Sequence, residues 1–165
     1  MKKGLLTLFA AVTFFAASAQ INQGAILVGG SSNLAFGSYK PKDGDGITVV
    51  NLDAKAGYFI IENLALGVNL GYAKFDDLSE TSLGAFARYY INGKIFVGAG
   101  VNTNKSDDGD TDFSYTSVPL EVGYAAFITD DIAIEPAIMY EMQSGDQEGS
   151  AFGVNVGISF YLNKD

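Results

Sequence analysis

Six charged residues are the first candidates for chemistry. Asp53, Lys55, Arg88, Glu121, Glu135 and Glu141 each lie in a stretch where large apolar residues alternate with small ones, and each takes a small-residue position. Two cations and four carboxylates on one face could form a plug of salt bridges or gate a narrow polar path. Charges held away from water need partners. The expectation is therefore a network in which Arg88 and Lys55 pair with some of Glu121, Glu135 and Asp53. Catalysis is not expected. Histidine and cysteine are absent, which removes the serine–histidine and cysteine–histidine nucleophiles and histidine-ligated metals. The glycines form no phosphate-loop pattern leading into a helix, so no nucleotide or other cofactor is expected.

A second candidate is Lys105 to Asp112, K-S-D-D-G-D-T-D. Asp108, Asp110 and Asp112 have the alternate spacing of calcium-loop ligands. The sixth position is Phe113 instead of glycine, and the twelfth is Pro119 instead of glutamate. The calcium-loop template fails, and the segment reads as a solvated acidic loop. The net charge of −9 argues against a nucleic-acid partner, which needs a basic surface.

The elements that carry the six charges are strands. From Leu64, every second residue is large and apolar (Leu64, Leu66, Val68, Leu70, Tyr72), with Ala65, Gly67, Asn69, Gly71 and Ala73 between them. Period two means a strand. A thin, glycine-rich second face suits the interior of a narrow barrel, and a continuous apolar face suits lipid. The same unit recurs over 25–36, 47–60, 81–91, 94–102, 113–128, 132–143 and 151–162. That predicts eight strands. Glu62-Asn63, Asn92-Gly93 and Thr129 to Asp131 are tight connections, with Asn-Gly the strongest hairpin signal. Ser38 to Gly46, Asp76 to Glu80, Thr103 to Asp112 and Ser144 to Gly149 are longer and hydrophilic. Pro119 and Pro136 each remove a ladder donor, so irregularity is expected near them. Placing Arg or Lys toward lipid at mid-depth would cost roughly 2–4 kcal/mol, which favours an inward direction for the six charges.

Aromatics gather near the strand ends. Tyr58, Phe59, Tyr89, Tyr90, Phe127, Phe160 and Tyr161 adjoin the short turns; Phe36, Tyr72, Phe75, Phe113, Tyr115 and Tyr140 adjoin the longer loops. The expectation is two belts at the headgroup boundaries, with Tyr58, Tyr89 and Phe160 in the periplasmic one. At the N-terminus, Met1-Lys2-Lys3, the apolar run Leu5 to Ala17 and the small-x-small Ala17-Ser18-Ala19 predict a signal peptide over 1–19 and a mature barrel over 20–165. Cleavage removes Lys2 and Lys3 and takes the charge from −9 to −11.

The signal peptide, the spacing G-V-N-L-G-Y-A and the closing V-N-V-G-I-S-F-Y-L together resemble the small outer-membrane β-barrel family of Gram-negative bacteria, of the OmpA-transmembrane-domain and OmpX type. The resemblance implies an all-β, eight-stranded antiparallel up-and-down transmembrane β-barrel in the outer membrane. It also implies outer-membrane lipids as surroundings and the barrel-assembly machinery as a partner during insertion. The expected role is structural or interactive, with side chains plugging the lumen and acidic loops facing a surface ligand not yet defined. A narrow channel for ions or small solutes is one alternative. A soluble lipocalin-like carrier is the other, disfavoured because a Gly/Ala/Asn face lines an apolar cavity poorly.

Overall fold

The computed structural model describes residues 21–33, 38–39, 47–75, 78–107, 112–146 and 148–162. The signal peptide, Pro41, the turn residues 43–46, Asp108 and Asp110 lie outside the described residues. Eight long strands run antiparallel: β1 (Ile26–Asn33), β2 (Ile47–Ile61), β3 (Leu64–Phe75), β4 (Leu78–Ile91), β5 (Ile95–Asp107), β6 (Asp112–Tyr124), β7 (Ile132–Gly145) and β8 (Gly149–Leu162). Two-residue ladders at Ser38–Tyr39 and Ala126–Phe127 extend β2 and β7 sideways. Each strand pairs with its sequence neighbours. β1 also pairs with β8, Ile26 opposite Leu162, while its other edge pairs with β2. The sheet therefore closes on itself and leaves no free edge along those ladders. Among the described residues no helix is long and apolar enough to cross a membrane.

Alternation decides which way each side chain points. Leu66, Val68 and Leu70 of β3, and Val118, Leu120 and Val122 of β6, are all exposed on the outer wall. Ala65, Arg88, Phe96, Ser117, Ala133 and Glu135 are buried inside. A molecule with its aliphatic residues outside and its charges inside is inverted relative to a water-soluble protein, which is the arrangement lipid requires. Asn92 and Gly93 both take the left-handed conformation, with φ of 53° and 66°. Asn-Gly tolerates that conformation, and it closes the β4–β5 hairpin with the twist the strands need.

Several boundaries differ from the sequence-based expectation. The stretch Thr103 to Asp112, expected as a loop, continues β5 to Asp107 and opens β6 at Asp112. β4 begins at Leu78, inside the expected loop Asp76 to Glu80. β7 runs to Gly145 and β8 starts at Gly149. In all three places the ladder extends through polar residues, because backbone pairing to a neighbouring strand does not require apolar side chains. β1 covers Ile26–Asn33, and its expected continuation to Phe36 lies outside the described residues. The β5–β6 ladder is interrupted opposite Val118 and Pro119, between the pairs Ala99–Leu120 and Asn102–Ser117, and keeps its register across the gap. Near Pro136, β6 breaks at Ala125 and pairing resumes at Ala126 opposite Ile134.

Candidate functional site: the barrel lumen

The lumen is built in three tiers. The first lies at the short-turn end. Leu27, Phe59, Tyr90, Phe96 and Tyr161 come from β1, β2, β4, β5 and β8, and all are fully buried. Tyr90 stands at the centre, with ring centroids 5.6 Å from Phe59, 5.6 Å from Phe96 and 5.9 Å from Tyr161. Such tilted and edge-on contacts add to the burial energy of the rings. Ile21 is also fully buried and belongs to the same apolar cluster. Its N–H donates to Asn63 Oδ1 at 3.2 Å, and its carbonyl accepts from Asn63 N at 2.9 Å. The chain just before β1 is thereby tied to the β2–β3 turn.

This tier corrects part of the aromatic expectation. Tyr58, Tyr89 and Phe160 point outward and are about half exposed. Phe59, Tyr90 and Tyr161, their immediate neighbours, point into the bore instead. Phe127 packs on Tyr161 at 4.9 Å, and Tyr115 at the loop end is buried as well. Adjacent strand residues face opposite sides, so a pair such as Tyr89-Tyr90 cannot put both rings in one belt.

The second tier is ionic. Glu135 of β7 lies on the lumen wall with its side chain almost completely buried. Its Oε2 accepts from Lys55 Nζ at 2.8 Å and from Arg88 Nη1 at 2.8 Å. Its Oε1 accepts from the Tyr161 hydroxyl. Arg88 also donates through Nε and Nη2 to Glu121 Oε1, at 2.8 and 2.7 Å. Arg88 Nη1 lies 3.2 Å from the Tyr90 hydroxyl, which is 3.1 Å from that of Tyr161. The single Tyr161 proton goes to the carboxylate, which leaves Tyr90 to donate to Tyr161 and accept from Arg88. The guanidinium also stacks 4.1 Å from the Phe96 ring centroid. Gly98 makes room for this arrangement: a Cβ there would stand 2.5 Å from Glu121 Oε1. Two cations and two carboxylates balance, and two aromatic hydroxyls add hydrogen bonds to Glu135 and Arg88.

The third tier opens toward the long loops. A cavity of about 340 Å³ rises from Arg88 and is lined by Asp53, Asn69, Glu80, Asn102, Tyr115 and Glu141, among others. Asn69 Nδ2 donates to Asn102 Oδ1 at 3.1 Å, and Asn104 Nδ2 to Ser117 Oγ at 3.0 Å. Gln143 Nε2 donates to Glu141 Oε1 at 2.9 Å. Asp53 and Glu141 share the lumen with the ionic tier, but neither lies within ion-pair distance of Lys55 or Arg88. The six expected charges are thus divided: four in one bonded cluster, two in the cavity above it. Glu80 joins those two. Sequence reading missed it by assigning it to a loop, although the alternation Asn102, Asn104, Ser106 on β5 already marks its ladder partners as an inward row. Among the described residues no group of three acidic side chains is arranged to hold a metal.

No family model and no curated relative matches the chain. Solved structures do. Neisserial surface protein A (NspA) matches with a TM-score of 0.54 at 17% identity, covering 84% of this chain and 94% of that one. The N-terminal β-barrel domain of Pseudomonas aeruginosa OprF matches with a TM-score of 0.50 at 17% identity, covering 85% and 98%. The Yersinia pestis outer membrane protein Ail matches with a TM-score of 0.52 at 10% identity, covering 86% and 99%. At these identities the likeness is one of fold. The chain has the fold of the small eight-stranded outer-membrane β-barrels.

Proposed function

We propose that this chain is a structural or interaction protein of a Gram-negative outer membrane, delivered by a cleaved signal peptide over residues 1–19. Its lumen is plugged, and its contacts with other molecules are made from the loop side. The observation that carries this reading is the first tier. Leu27, Phe59, Tyr90, Phe96 and Tyr161 are fully buried together across the short-turn end of the bore. An eight-stranded barrel leaves little room beyond its own side chains, and here that room is filled by rings beneath a neutral ion cluster. The outward Tyr58, Tyr89 and Phe160 suit the headgroup boundary at that end. The acidic loop-side residues are the surface offered to a ligand. Catalysis is not part of the reading, which rests on a sequence without histidine or cysteine and hence without serine–histidine or cysteine–histidine nucleophiles.

A narrow channel is the competing reading, and the cavity above Arg88 favours it. Planar bilayers decide between them. The purified mature chain, first shown to run as a heat-sensitive compact band, should insert without discrete conductance steps. Steady steps altered by Arg88→Gln would transfer the assignment to a channel. A chain that stays soluble without detergent would remove the membrane reading altogether.

A further inference from the structure

The outer wall of the strands is almost free of charge. Among the described side chains, its charged residues are Lys74 on β3 and Lys105 and Asp107 on β5. The two lysines stand at one height. Lys74 lies ten residues beyond Leu64 at the short-turn end of β3, and Lys105 ten beyond Ile95 at that end of β5. Thr81, on the strand between them, lies ten before Ile91 at the short-turn end of β4. Ten residues at about 3.3 Å each, tilted by about 40°, climb about 25 Å, which is the height of the apolar band on such barrels. The row Lys74, Thr81, Lys105 therefore marks the upper edge of that band. Leu70, Leu83 and Val101 lie below it and are exposed. Thr116 of β6 continues the row, exposed like the others.

The far side differs. At the same height Met142 occupies β7 and Phe152 occupies β8, both exposed and apolar. Among the described residues the polar edge is thus confined to an arc over β3 to β6. Two strand spacings and two residues of offset put the lysine Cα atoms about 12 Å apart. Neither lysine has an ion-pair partner among the described residues, in a chain whose net charge is −9.

We infer that this arc is a docking site for the phosphate of an anionic lipid headgroup in the loop-side leaflet. The two ammonium groups flank the phosphate, and the Thr81 hydroxyl donates between them. The acyl chains lie down the apolar wall of Leu70, Leu83 and Val101. Charge complementarity and the position at the band edge select a lipid over a free anion, because only a lipid satisfies the lysines and the wall below them together. Asp107, two residues above Lys105 on the same strand, stands clear of the band on its loop side. The inference rests on the membrane reading above.

The test uses the full mature chain in phosphatidylcholine bilayers carrying brominated phosphatidic acid or brominated phosphatidylcholine, read by quenching of tyrosine fluorescence. Tyr72 lies two residues from Lys74 on the same outward face and is 44% exposed, so it reports on lipid at the site. A lysine near an anionic surface is worth roughly a fivefold preference, so with two lysines the wild type should favour phosphatidic acid about five- to twenty-five-fold. Lys74→Gln with Lys105→Gln should abolish the preference, Lys74→Arg with Lys105→Arg should keep it, and Lys94→Gln at the opposite rim should leave it unchanged. Equal quenching by both lipids in the wild type overturns the inference. So does a preference that survives the double glutamine variant, or one that millimolar inorganic phosphate removes. Failure of the chain to enter the bilayer at all would instead strike the membrane reading, which the compact heat-sensitive band reports separately.

Discussion

At the scale of single residues, the lumen turns on Glu135 and Arg88. Each is the other's partner, and each has a second opposite charge at bonding distance, Lys55 for Glu135 and Glu121 for Arg88. Removing one member leaves buried charges uncompensated, which costs more than the pair is worth in place. Arg88→Met should therefore lower stability by about 3–5 kcal/mol, measured as a shift in the urea midpoint of the compact band in detergent. An unchanged midpoint would show that the cluster contributes nothing. Tyr161→Phe is gentler. It removes the hydroxyl that serves Glu135 Oε1 while keeping the ring in the apolar tier. The expected loss is about 1–3 kcal/mol with the fold retained. Gly98 is constrained for a different reason. A side chain there meets Glu121 at 2.5 Å, so Gly98→Val should displace Glu121 and destabilise the barrel even though its backbone needs no special conformation.

Elements are controlled by their turns and by which face meets lipid. Gly93 holds φ of 66°, a conformation that a β-branched residue adopts only with strain of about 1–3 kcal/mol. Gly93→Val should slow or weaken closure of the β4–β5 hairpin, seen as a lower yield of compact band on refolding into detergent micelles. Along β3, neighbours should respond oppositely to the same chemistry. Leu70 is exposed on the outer wall, whereas Asn69 bonds to Asn102 inside. Leu70→Arg should cost about 2–4 kcal/mol in a bilayer, the depth-dependent penalty for a cation facing lipid. Asn69→Arg should be limited by lumen space and charge rather than by lipid. Similar losses in bilayer and in micelle for Leu70→Arg would argue against a lipid-facing wall.

Across the whole molecule, the bore is lined by polar side chains toward the loops and by buried aromatic rings toward the short turns. That asymmetry predicts sided access. The chain has no cysteine, so single cysteines report cleanly. Asn104→Cys, on the wall of the bore toward the loops, should react with a membrane-impermeant maleimide from the loop side once the barrel is in vesicles. Glu62→Cys, in a short turn, should react from the opposite side. Phe59→Cys, inside the apolar tier, should resist reagent from both sides. Labelling of Phe59→Cys at the rate of Asn104→Cys would mean that the short-turn end is open.

The sequence by itself determined the strands, their number, the inward direction of all six charges and the outward direction of the aliphatic wall. All of these follow from period-two alternation, which is local and survives without knowledge of partners. The Asn92-Gly93 turn was legible for the same reason, since its chemistry is written in two residues. Three things were not. The strands run past their apolar stretches to Asp107 and Gly145, because ladder pairing depends on the neighbouring strand and not on the residue's own hydropathy. Phe59, Tyr90 and Tyr161 turned out to fill the bore while Tyr58, Tyr89 and Phe160 face out. Direction within a strand was readable, but only barrel closure brings these three distant rings to one level. The division of the charges, four bonded around Glu135 and two apart in the cavity, depends on shear between strands up to 80 residues apart in sequence. Composition supplies the charges, and alternation points them inward. Only the closed register sets which of them touch.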